Sequence, residues 1–527
     1  MRPKSRPARV PVRVGAALLA VVAATAAAPA APAQDPRDGF GPEITAVMDK
    51  PAYRHGQWGL LEMDPADGRT VHAMTPEQFF LPGSVAKLFS VSGTWHALGT
   101  DHRFTTPVHA LGTRDGSALD GDLALVAQGD LTMGGRTAPD GSVSFTDTDH
   151  TYANDLPGAT LTPEDPLAGL DLIAAQVRES GITEVRGDVV IDPRLFTAES
   201  NLDPAPTPLI VNDNLIDLLT TPTEPGQPAG LTWRPQVAPY QVTSTVRTVA
   251  PGGPTDIQVT ASPDGTRITL AGTVAADAAP VLRVSQVQDP NAFGRTALIE
   301  ALARAGVTVA APPTGPNPAA ALPATYDGAP QVAAYVSPPY AEYARLVLKV
   351  SHNLGANLGI CLMAVTAGGH ACDDGFPVLR SFLVHAGVDP VQVQLLDGRG
   401  GNPVDRVTPL AVNQVLRYWL GTPEADRFRH ALPILGVDGS LAPFCPDCAA
   451  KGKVFAKPGT VAGFDGVNQQ LAIGAQTLGG YLETRDGCLH TFFVGVNGAA
   501  APDIEGLIET VGDVTRIAAL LQEQADR

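Results

Sequence analysis

The sequence predicts a mixed α/β (α+β) protein in which both ends of the chain form one domain around a mainly-β insertion. Two predicted strands, residues 58–63 and 70–73, lie near the start of the chain on either side of a turn signal. A predicted antiparallel hairpin, 471–483 with 489–496, lies near its end. Strands from both ends can share one domain if the middle of the chain is an insertion, which surface loops tolerate well.

Helices are predicted where apolar residues recur at helical spacing. The expected helices, in chain order, span residues 84–98, 167–179, 293–305, 341–365 and 410–420, with a last helix that follows its cap Asp503. From about residue 104 the pattern changes to short strands with Asp-Gly turns, of which 256–260 and 267–274 are examples. A segment rich in proline and alanine, 312–323, marks the expected end of this strand-rich region.

The composition is typical of a folded protein with a large core. Of 527 residues, 44% are hydrophobic and 17% are charged, whereas disordered chains combine low hydrophobicity with high charge density. Acidic residues outnumber basic ones by 54 to 36, which gives a formal charge of −18. A protein that binds nucleic-acid phosphates needs a positive surface, so we expect no nucleic acid as a partner.

The first 33 residues are typical of a secretory signal peptide. Five basic residues up to Arg13 precede an apolar run over 14–28, and Ala-Pro-Ala at 31–33 supplies a cleavage site before Gln34. The run is shorter than the ~20 residues of a membrane-spanning helix, and a retained N-terminal anchor is the alternative. No later segment reaches spanning length without charges or proline and glycine breaks. We therefore expect a secreted or extracytoplasmic protein, in the cell wall or periplasmic space, with no stable membrane span.

The five cysteines suit an oxidising compartment, in which disulfides persist. Cys361 and Cys372 are eleven residues apart, and Cys445 and Cys448 form a C-x-x-C motif. A zinc site would need further ligands at suitable spacing, and a redox site would need the motif at a strand-to-helix turn. We therefore predict two structural disulfides, no metal and no cofactor, and we expect the fifth cysteine, Cys488, on a buried strand.

Ser84-Val85-Ala86-Lys87 is the first candidate for chemistry. Three residues along a helix is nearly one turn, so the Lys87 amine and the Ser84 hydroxyl lie on the same face. A serine needs a base to act as a nucleophile, and a lysine can serve because burial lowers its pKa. The chain has only seven lysines and no second S-x-x-K motif. The alternative is an N-capping serine followed by an exposed lysine.

Two further motifs can complete such a site. Ser351 and Asn353 form the only S-x-N in the chain, where a hydroxyl can relay a proton and an amide can hold a substrate amide. The alternative there is a helix N-cap, and we expect His352 to be its exposed neighbour. Lys457 is followed by Pro-Gly-Thr after a predicted strand, where its amine can hold a carboxylate while a substrate backbone lies along the strand. The alternative is an ordinary turn with a solvated lysine.

The three motifs in this order resemble the active-site set of penicillin-interacting serine enzymes. The chain is similar to the D-alanyl-D-alanine carboxypeptidase/endopeptidase family, the class C low-molecular-mass penicillin-binding proteins. The segments that carry the resemblance are residues 80–88, 128–132, 187–192, 397–400, 406–409 and 436–441. Ser84 and Ser351 are 267 residues apart, which leaves room for the large insertion typical of that family. The resemblance covers essentially the whole mature chain.

The resemblance implies a β-lactamase/transpeptidase-like domain with a five-stranded antiparallel sheet flanked by helices, which carries two smaller, mainly-β domains. The signal peptide at 1–33 would be followed by the first part of the transpeptidase-like domain at 34–104. The inserted accessory domains would span 105–330, and the second part of the transpeptidase-like domain would span 331–527.

The resemblance also implies roles for the motif residues. By motif match, Ser84 would be the acylated nucleophile, Lys87 its general base, and Ser351 the relay of the proton to the leaving D-alanine. The residues implied to bind the substrate are Asn353, Lys457, Gly459 and Thr460. Backbone N–H groups of Ser84 and Thr460 would form the oxyanion hole.

The implied substrate is the D-Ala-D-Ala end, or a D-amino cross-link, of peptidoglycan stem peptides, which would be hydrolysed through an acyl-serine. β-Lactams would act as inhibitors by acylating the same serine.

Two positions depart from the family pattern. Pro458 replaces the usual threonine, which removes a hydroxyl and one strand N–H, and a hydrogen bond to a charged group is worth ~1.5–3 kcal/mol. Arg399 replaces the serine of the usual Asp-Gly-Ser-Gly. The alternative function is therefore a weakly active or non-catalytic penicillin- or peptidoglycan-binding protein. A β-lactamase is disfavoured, because no sequence feature identifies a group that would position a deacylating water.

Overall fold

The computed structural model describes residues 39–198 and 202–525, so the predicted signal peptide lies outside the described residues. In chain order the strands are β1 Gln57–Asp64, β2 Arg69–Met74, β3 Thr105–Asp115, β4 Ala118–Val126, β5 Glu184–Val185, β6 Val189–Asp192, β7 Leu215–Thr221, β8 Gly230–Arg234, β9 Gln241–Ser244, β10 Arg247–Val249, β11 Asp256–Ala261, β12 Arg267–Ala275, β13 Val281–Gln286, β14 Thr308–Val309, β15 Gln331–Val336, β16 Val393–Gln394, β17 Arg406–Val407, β18 Val454–Asp465, β19 Gln470–Glu483 and β20 Leu489–Ala501. The α-helices are α1 Pro42–Met48, α2 Lys87–Leu98, α3 Ala168–Glu179, α4 Pro290–Arg304, α5 Tyr340–Lys349, α6 Asn353–Thr366, α7 Gly375–His385, α8 Pro409–Leu420, α9 Ala425–Ala431 and α10 Ile504–Ala525.

A five-stranded antiparallel sheet joins the two ends of the chain. Its strand order is β18-β19-β20-β1-β2, so the last strand, β20, pairs with the first strand, β1. The hairpin β19–β20 and the strand pair β1–β2 lie where the sequence pattern predicts them. The predicted mixed α/β fold, with an antiparallel sheet shared by both ends of the chain, is therefore confirmed.

Helices cover both faces of this sheet because its side chains alternate. On β19 and β20, Leu482 and Val494 pack in one core with residues of α10. Their neighbours Tyr481 and Phe493 point to the other face and pack in a second core with residues of α2 and α8. This alternation follows from the period of two along a strand. It places the start of α2 against the sheet.

Another set of buried apolar residues lies entirely between Val108 and Tyr335. The segment that contains it begins with β3 and ends with β15, and these two strands pair antiparallel to each other. Strands dominate this segment, with α3 and α4 packed on them. The described residues from Phe40 onwards form one compact unit. The domain boundaries 34–104, 105–330 and 331–527 stay predictions.

Two local expectations are wrong. The predicted helix over 341–365 is split into α5 and α6, because Ser351 between them has φ +63°, outside the helical region. Cys488 is exposed in the turn before β20 and is not on a buried strand.

Both predicted disulfides are present. Cys361–Cys372 is buried and ties α6 to the short helical turn before α7, whereas Cys445–Cys448 lies half-buried in the loop before β18. Within the described residues, no helix combines the length and the apolar character that crossing a membrane requires.

We expect the two disulfides to differ in their contribution to stability. The double variant Cys361→Ala/Cys372→Ala should lower the free energy of unfolding by about 2–4 kcal/mol. The reason is that the disulfide closes a loop and so restricts the unfolded chain. The double variant Cys445→Ala/Cys448→Ala opens a much shorter loop and should lose less. Denaturant midpoints of the two variants and the unmodified protein measure the difference. Under denaturing, non-reducing conditions a thiol reagent should find one thiol per chain, Cys488, and three or more would contradict the disulfides.

Candidate active site

Ser84 lies on a short 3-10 turn, Gly83–Ala86, that leads directly into α2. Gly83 has φ +50°, and a Cβ atom there would lie 2.6 Å from the amide nitrogen of Thr460. Because glycine adopts this conformation and leaves that space free, the turn reaches strand β18. The Ser84 hydroxyl is therefore at a helix N-terminus that lies against the edge of the sheet.

The Lys87 side chain is fully buried, and its amine has three close neighbours. Nζ lies 2.7 Å from Ser84 Oγ, 2.8 Å from Asn353 Oδ1 and 3.3 Å from the carbonyl oxygen of Arg399. Burial lowers the pKa of Lys87 well below its ordinary value, and the nearby charge of Lys457 lowers it further. The neutral amine is therefore favoured.

A neutral amine matches these neighbours atom by atom, because it has two N–H donors and one lone pair. The oxygens of Asn353 and Arg399 can only accept, so they take the two N–H groups. The lone pair is then left to face the Ser84 hydroxyl. In this arrangement the lysine can receive the proton of the serine.

Ser351 and Asn353 lie at the break between α5 and α6, which is a tight turn with Ser351 at φ +63°. His352 is fully buried, so the expectation of an exposed residue is wrong. Its Nδ1 accepts the backbone N–H of Gly355 at 3.0 Å and so caps α6. Asn353 is the first residue of α6, and the cap helps to hold its side chain near Lys87.

Lys457 and Gly459 lie on strand β18. The Lys457 side chain is fully buried and donates to the carbonyl oxygen of Pro458 at 2.8 Å. Burial lowers the pKa of Lys457 to about 7, so its charged and neutral forms coexist near neutral pH. A Cβ atom at Gly459 would lie 2.2 Å from the carbonyl oxygen of Pro82, so glycine lets the strand approach the turn before α2.

Pro458 is accommodated because β18 is an edge strand. On an edge strand every second N–H points away from the neighbouring strand, and a proline in the strand takes such a position. No hydrogen bond to β19 is therefore lost at Pro458. The Thr460 hydroxyl donates to Gln476 Oε1 at 2.7 Å.

The carbonyl oxygen of Arg399 is held by the loop whose sequence over 397–400, Asp-Gly-Arg-Gly, departs from the family pattern. The Asp397 carboxylate accepts the backbone N–H groups of Arg399, Gly400 and Gly401. A Cβ atom at Gly400 would lie 1.8 Å from the carbonyl oxygen of Gly83. The loop therefore packs directly on the turn before α2.

The structure brings Ser84, Lys87 and Asn353 into hydrogen-bonding distance, and it packs Gly459 and Thr460 against the turn of Ser84. Ser351 lies two residues before Asn353, in the turn that precedes α6. Lys457 lies two residues before Gly459, on β18. In residues 39–198 and 202–525, no group of three or more His, Cys, Asp or Glu side chains is placed to hold a metal ion.

Sequence reasoning missed two residues that contact the turn before α6. The Tyr152 hydroxyl donates to the carbonyl oxygen of Ser351 at 2.5 Å. Asp213 Oδ1 lies 2.9 Å from His352 Nε2. Both come from a segment more than a hundred residues earlier, so no local pattern pointed to them.

The chain is similar to known proteins along most of its length. It is 27% identical over 484 residues to the D-alanyl-D-alanine carboxypeptidase of Actinomadura sp. (strain R39), with 87% of this chain and 81% of that protein covered. Penicillin-binding protein 4 of Haemophilus influenzae shares its fold, with a TM-score of 0.65 and 18% identity over 90% of this chain and 99% of that chain. The same protein complexed with a β-lactam has a TM-score of 0.63 and 19% identity, over 90% and 98% of the two chains.

The fold and the comparisons agree with the resemblance drawn from the motifs. The sequence model of the D-Ala-D-Ala carboxypeptidase 3 (S13) family matches residues 42–513, which include the whole site described above. The chain therefore belongs to the D-Ala-D-Ala carboxypeptidase 3 (S13) family.

Proposed function

We propose that this protein is a serine-type D-alanyl-D-alanine carboxypeptidase and DD-endopeptidase that acts on peptidoglycan stem peptides through an acyl-serine intermediate. The observation that carries the proposal is the buried Lys87 amine, 2.7 Å from Ser84 Oγ. Its other two neighbours are uncharged oxygens, so the amine can stay neutral and act as a base.

Acylation begins when Ser84 Oγ attacks the carbonyl carbon of the penultimate D-alanine, while Lys87 takes the hydroxyl proton. The N–H groups of Ser84 and Thr460 bind the oxyanion that forms. Ser351 relays the proton to the nitrogen of the terminal D-alanine, and the C–N bond breaks. Water then attacks the ester, which releases the shortened peptide and returns the proton to Ser84.

The substrate is bound along β18 in this proposal. The charged form of Lys457 attracts the terminal carboxylate, and the edge of the strand from Lys457 to Thr460 offers backbone groups to the peptide. Gly459 lets this strand lie close to the turn of Ser84, and Asn353 holds a peptide amide. β-Lactams acylate Ser84 because their ring amide takes the place of the scissile peptide bond.

Peptidoglycan lies outside the cytoplasmic membrane, and three observations support secretion of the protein to the cell wall or periplasmic space. The family acts on a cell-wall peptide, residues 1–33 have the pattern of a signal peptide, and two disulfides are present. A chain with a net charge of −18 is not expected to bind nucleic acid.

A weakly active penicillin- or peptidoglycan-binding protein is the second candidate, and Pro458 is the observation that favours it. The proline withholds a hydroxyl and an N–H from the outer edge of β18, where the peptide would bind. Release of D-alanine by the unmodified protein separates the two functions.

Ser84→Ala should abolish covalent labelling by a fluorescent penicillin and release of D-alanine from diacetyl-Lys-D-Ala-D-Ala, because the oxygen that forms the ester is gone. Ser381→Ala changes an exposed serine on α7 and should label like the unmodified protein. Label retained by Ser84→Ala would contradict the assignment of the nucleophile. Labelling without D-alanine release by the unmodified protein would favour the second candidate.

The second-order rate constant of acylation should fall as the pH rises above about 7. Burial lowers the pKa of Lys457 to about 7, so the cation that attracts the carboxylate is present below that pH and lost above it. Lys457→Met should lower the rate below about pH 7, where the unmodified protein carries the charge, and should remove the alkaline decline. Stopped-flow labelling across the pH range measures both profiles, and a decline that persists in Lys457→Met would assign it to another group.

Pro458→Thr should raise the rate of D-alanine release, by up to the ~10–150-fold that one hydrogen bond to a charged group is worth. Valine has the same shape as threonine but no hydroxyl, so Pro458→Val restores only the N–H. The difference in rate between the two variants therefore measures the contribution of the hydroxyl. If neither variant is faster than the unmodified protein, the site has adapted to the proline.

A further inference from the structure

A cluster of buried charged side chains contacts the turn that carries Ser351 and Asn353. Its members all come from the predicted insertion and are buried or half-buried: Arg136, Asp149, His150, Asp213, Asp217 and Arg234. A buried charge is costly unless partners neutralise it, so a cluster of this size invites a functional explanation. The proposed reaction uses none of these side chains directly.

His150 lies at the centre of the cluster and is doubly protonated. Its Nδ1 lies 2.6 Å from Asp217 Oδ1 and its Nε2 lies 2.7 Å from Asp213 Oδ2, and ionised carboxylates can only accept. Burial alone would lower the pKa of His150, but Asp217 and the hydrogen bond to Asp213 raise it to about 10. Arg136 donates to the carboxylates of Asp149 and Asp213 at 2.6 and 2.7 Å.

Asp213 faces donors on both sides. Its Oδ2 accepts from Arg136 and His150, and its Oδ1 accepts from His352 Nε2 at 2.9 Å. Asp213 is the middle one of three consecutive residues, 212–214, with φ values of +51°, +54° and +57°. Left-handed conformations of residues other than glycine persist where the surroundings hold them, and they cluster at functional sites. Here that backbone presents one carboxylate to the turn before α6.

The neighbours of His352 fix the position of its ring proton. The backbone N–H of Gly355 can only donate, so Nδ1, 3.0 Å away, must accept and carries no proton. The neutral ring then has its proton on Nε2, which donates to Asp213. One ring therefore caps α6 on one side and binds the insertion on the other.

We propose that Asp213 is a positioning residue for the acylation reaction, because its carboxylate holds His352 in the Nε2–H form. In that form Nδ1 is free to cap α6, whose first residue, Asn353, then stays against Lys87. The inference rests on the proposed function, since the placement of Asn353 matters for acylation only if this site acylates.

Tyr152 provides a second contact between the same segment and the turn. Its hydroxyl donates to the carbonyl oxygen of Ser351 at 2.5 Å, next to the residue with φ +63° that separates the two helices. The contacts from Tyr152 and Asp213 hold consecutive residues of one turn, Ser351 and His352. A rigid turn is what a proton relay and a substrate amide contact require.

Asp213→Asn keeps the size of the side chain but leaves one acceptor oxygen in place of two. That oxygen can face either Arg136 and His150 or His352, but not both sides at once. Arg136 and His150 are charged and hold the single amide oxygen more strongly than a neutral ring does. The NH₂ group then faces Nε2–H of His352, donor against donor. This contact drives the ring to its Nδ1–H form, in which the N–H of Gly355 loses its acceptor and the cap of α6 is lost.

The expected result is that Asp213→Asn slows acylation by a fluorescent penicillin about tenfold to a hundredfold. Asp217→Asn is the matched control, because Asp217 is equally buried and also faces donors with both oxygens, those of His150 and Arg234. It should stay within about threefold of the unmodified protein, with all rates measured well below the melting temperatures. Equal slowing in the two variants would overturn the proposal.

A second background tests whether Asp213 acts through the histidine. His352→Asn keeps a side-chain oxygen that can cap Gly355, but it is too short to reach Asp213. In this background Asp213→Asn should change the acylation rate by less than about threefold. The same slowing in both backgrounds would overturn the proposal, because the effect would then not pass through His352.

The ring itself gives a direct readout. In ¹⁵N-histidine-labelled protein, the resonances missing from His352→Asn identify His352. They should show the Nε2–H form in the unmodified protein and in Asp217→Asn, and the Nδ1–H form in Asp213→Asn. Slow acylation with an unchanged tautomer would overturn the inference. An unmodified protein that no penicillin acylates would instead overturn the proposed function, so the two failures are distinguishable.

Discussion

The proposed reaction depends on keeping the Lys87 amine out of water and neutral. A solvated lysine is protonated near neutral pH and cannot take a proton from a serine. Burial lowers its pKa, but burial without partners would leave its N–H donors unsatisfied. The oxygens of Asn353 and Arg399 accept these donors and carry no charge. A carboxylate in either place would raise the pKa again, so uncharged acceptors are the arrangement that satisfies both requirements.

Segments distant in the sequence must pack backbone against backbone to enclose this amine. A Cβ atom at Gly400 would lie 1.8 Å from the carbonyl oxygen of Gly83, and one at Gly459 would lie 2.2 Å from that of Pro82. Any side chain at these positions would separate the Arg399 loop, the turn before α2 and strand β18. Water would then reach Lys87 and its pKa would rise. The lowered pKa of the amine therefore depends on glycines that take no part in the chemistry.

The sheet and the last helix are predictable because their patterns are local. The turn signal Arg485-Asp486-Gly487 marks the hairpin of β19 and β20, and the carboxylate of Asp503 accepts the N–H of Gly506 at 2.9 Å, as a cap should. The break before α6 is marked only by the cap residues Ser351 and Asn353, because the apolar residues over 341–365 continue through it and no proline interrupts them. His352 is buried in contact with Asp213, which is 139 residues away in the sequence, and a contact between residues so far apart leaves no local pattern. The motifs therefore indicate the candidate reacting groups but not what holds them.

In the proposed reaction two lysines at one site have opposite tasks, and their surroundings make this possible. Lys87 has to be neutral to accept a proton, whereas Lys457 has to be charged to attract a carboxylate. Burial lowers the pKa of both, and the charge of Lys457 lowers that of Lys87 further. The charged form of Lys457 thus favours the neutral form of Lys87, so the carboxylate-binding state and the proton-accepting state occur together. Environments that drive two pKa values apart assign the two roles to residues of the same type.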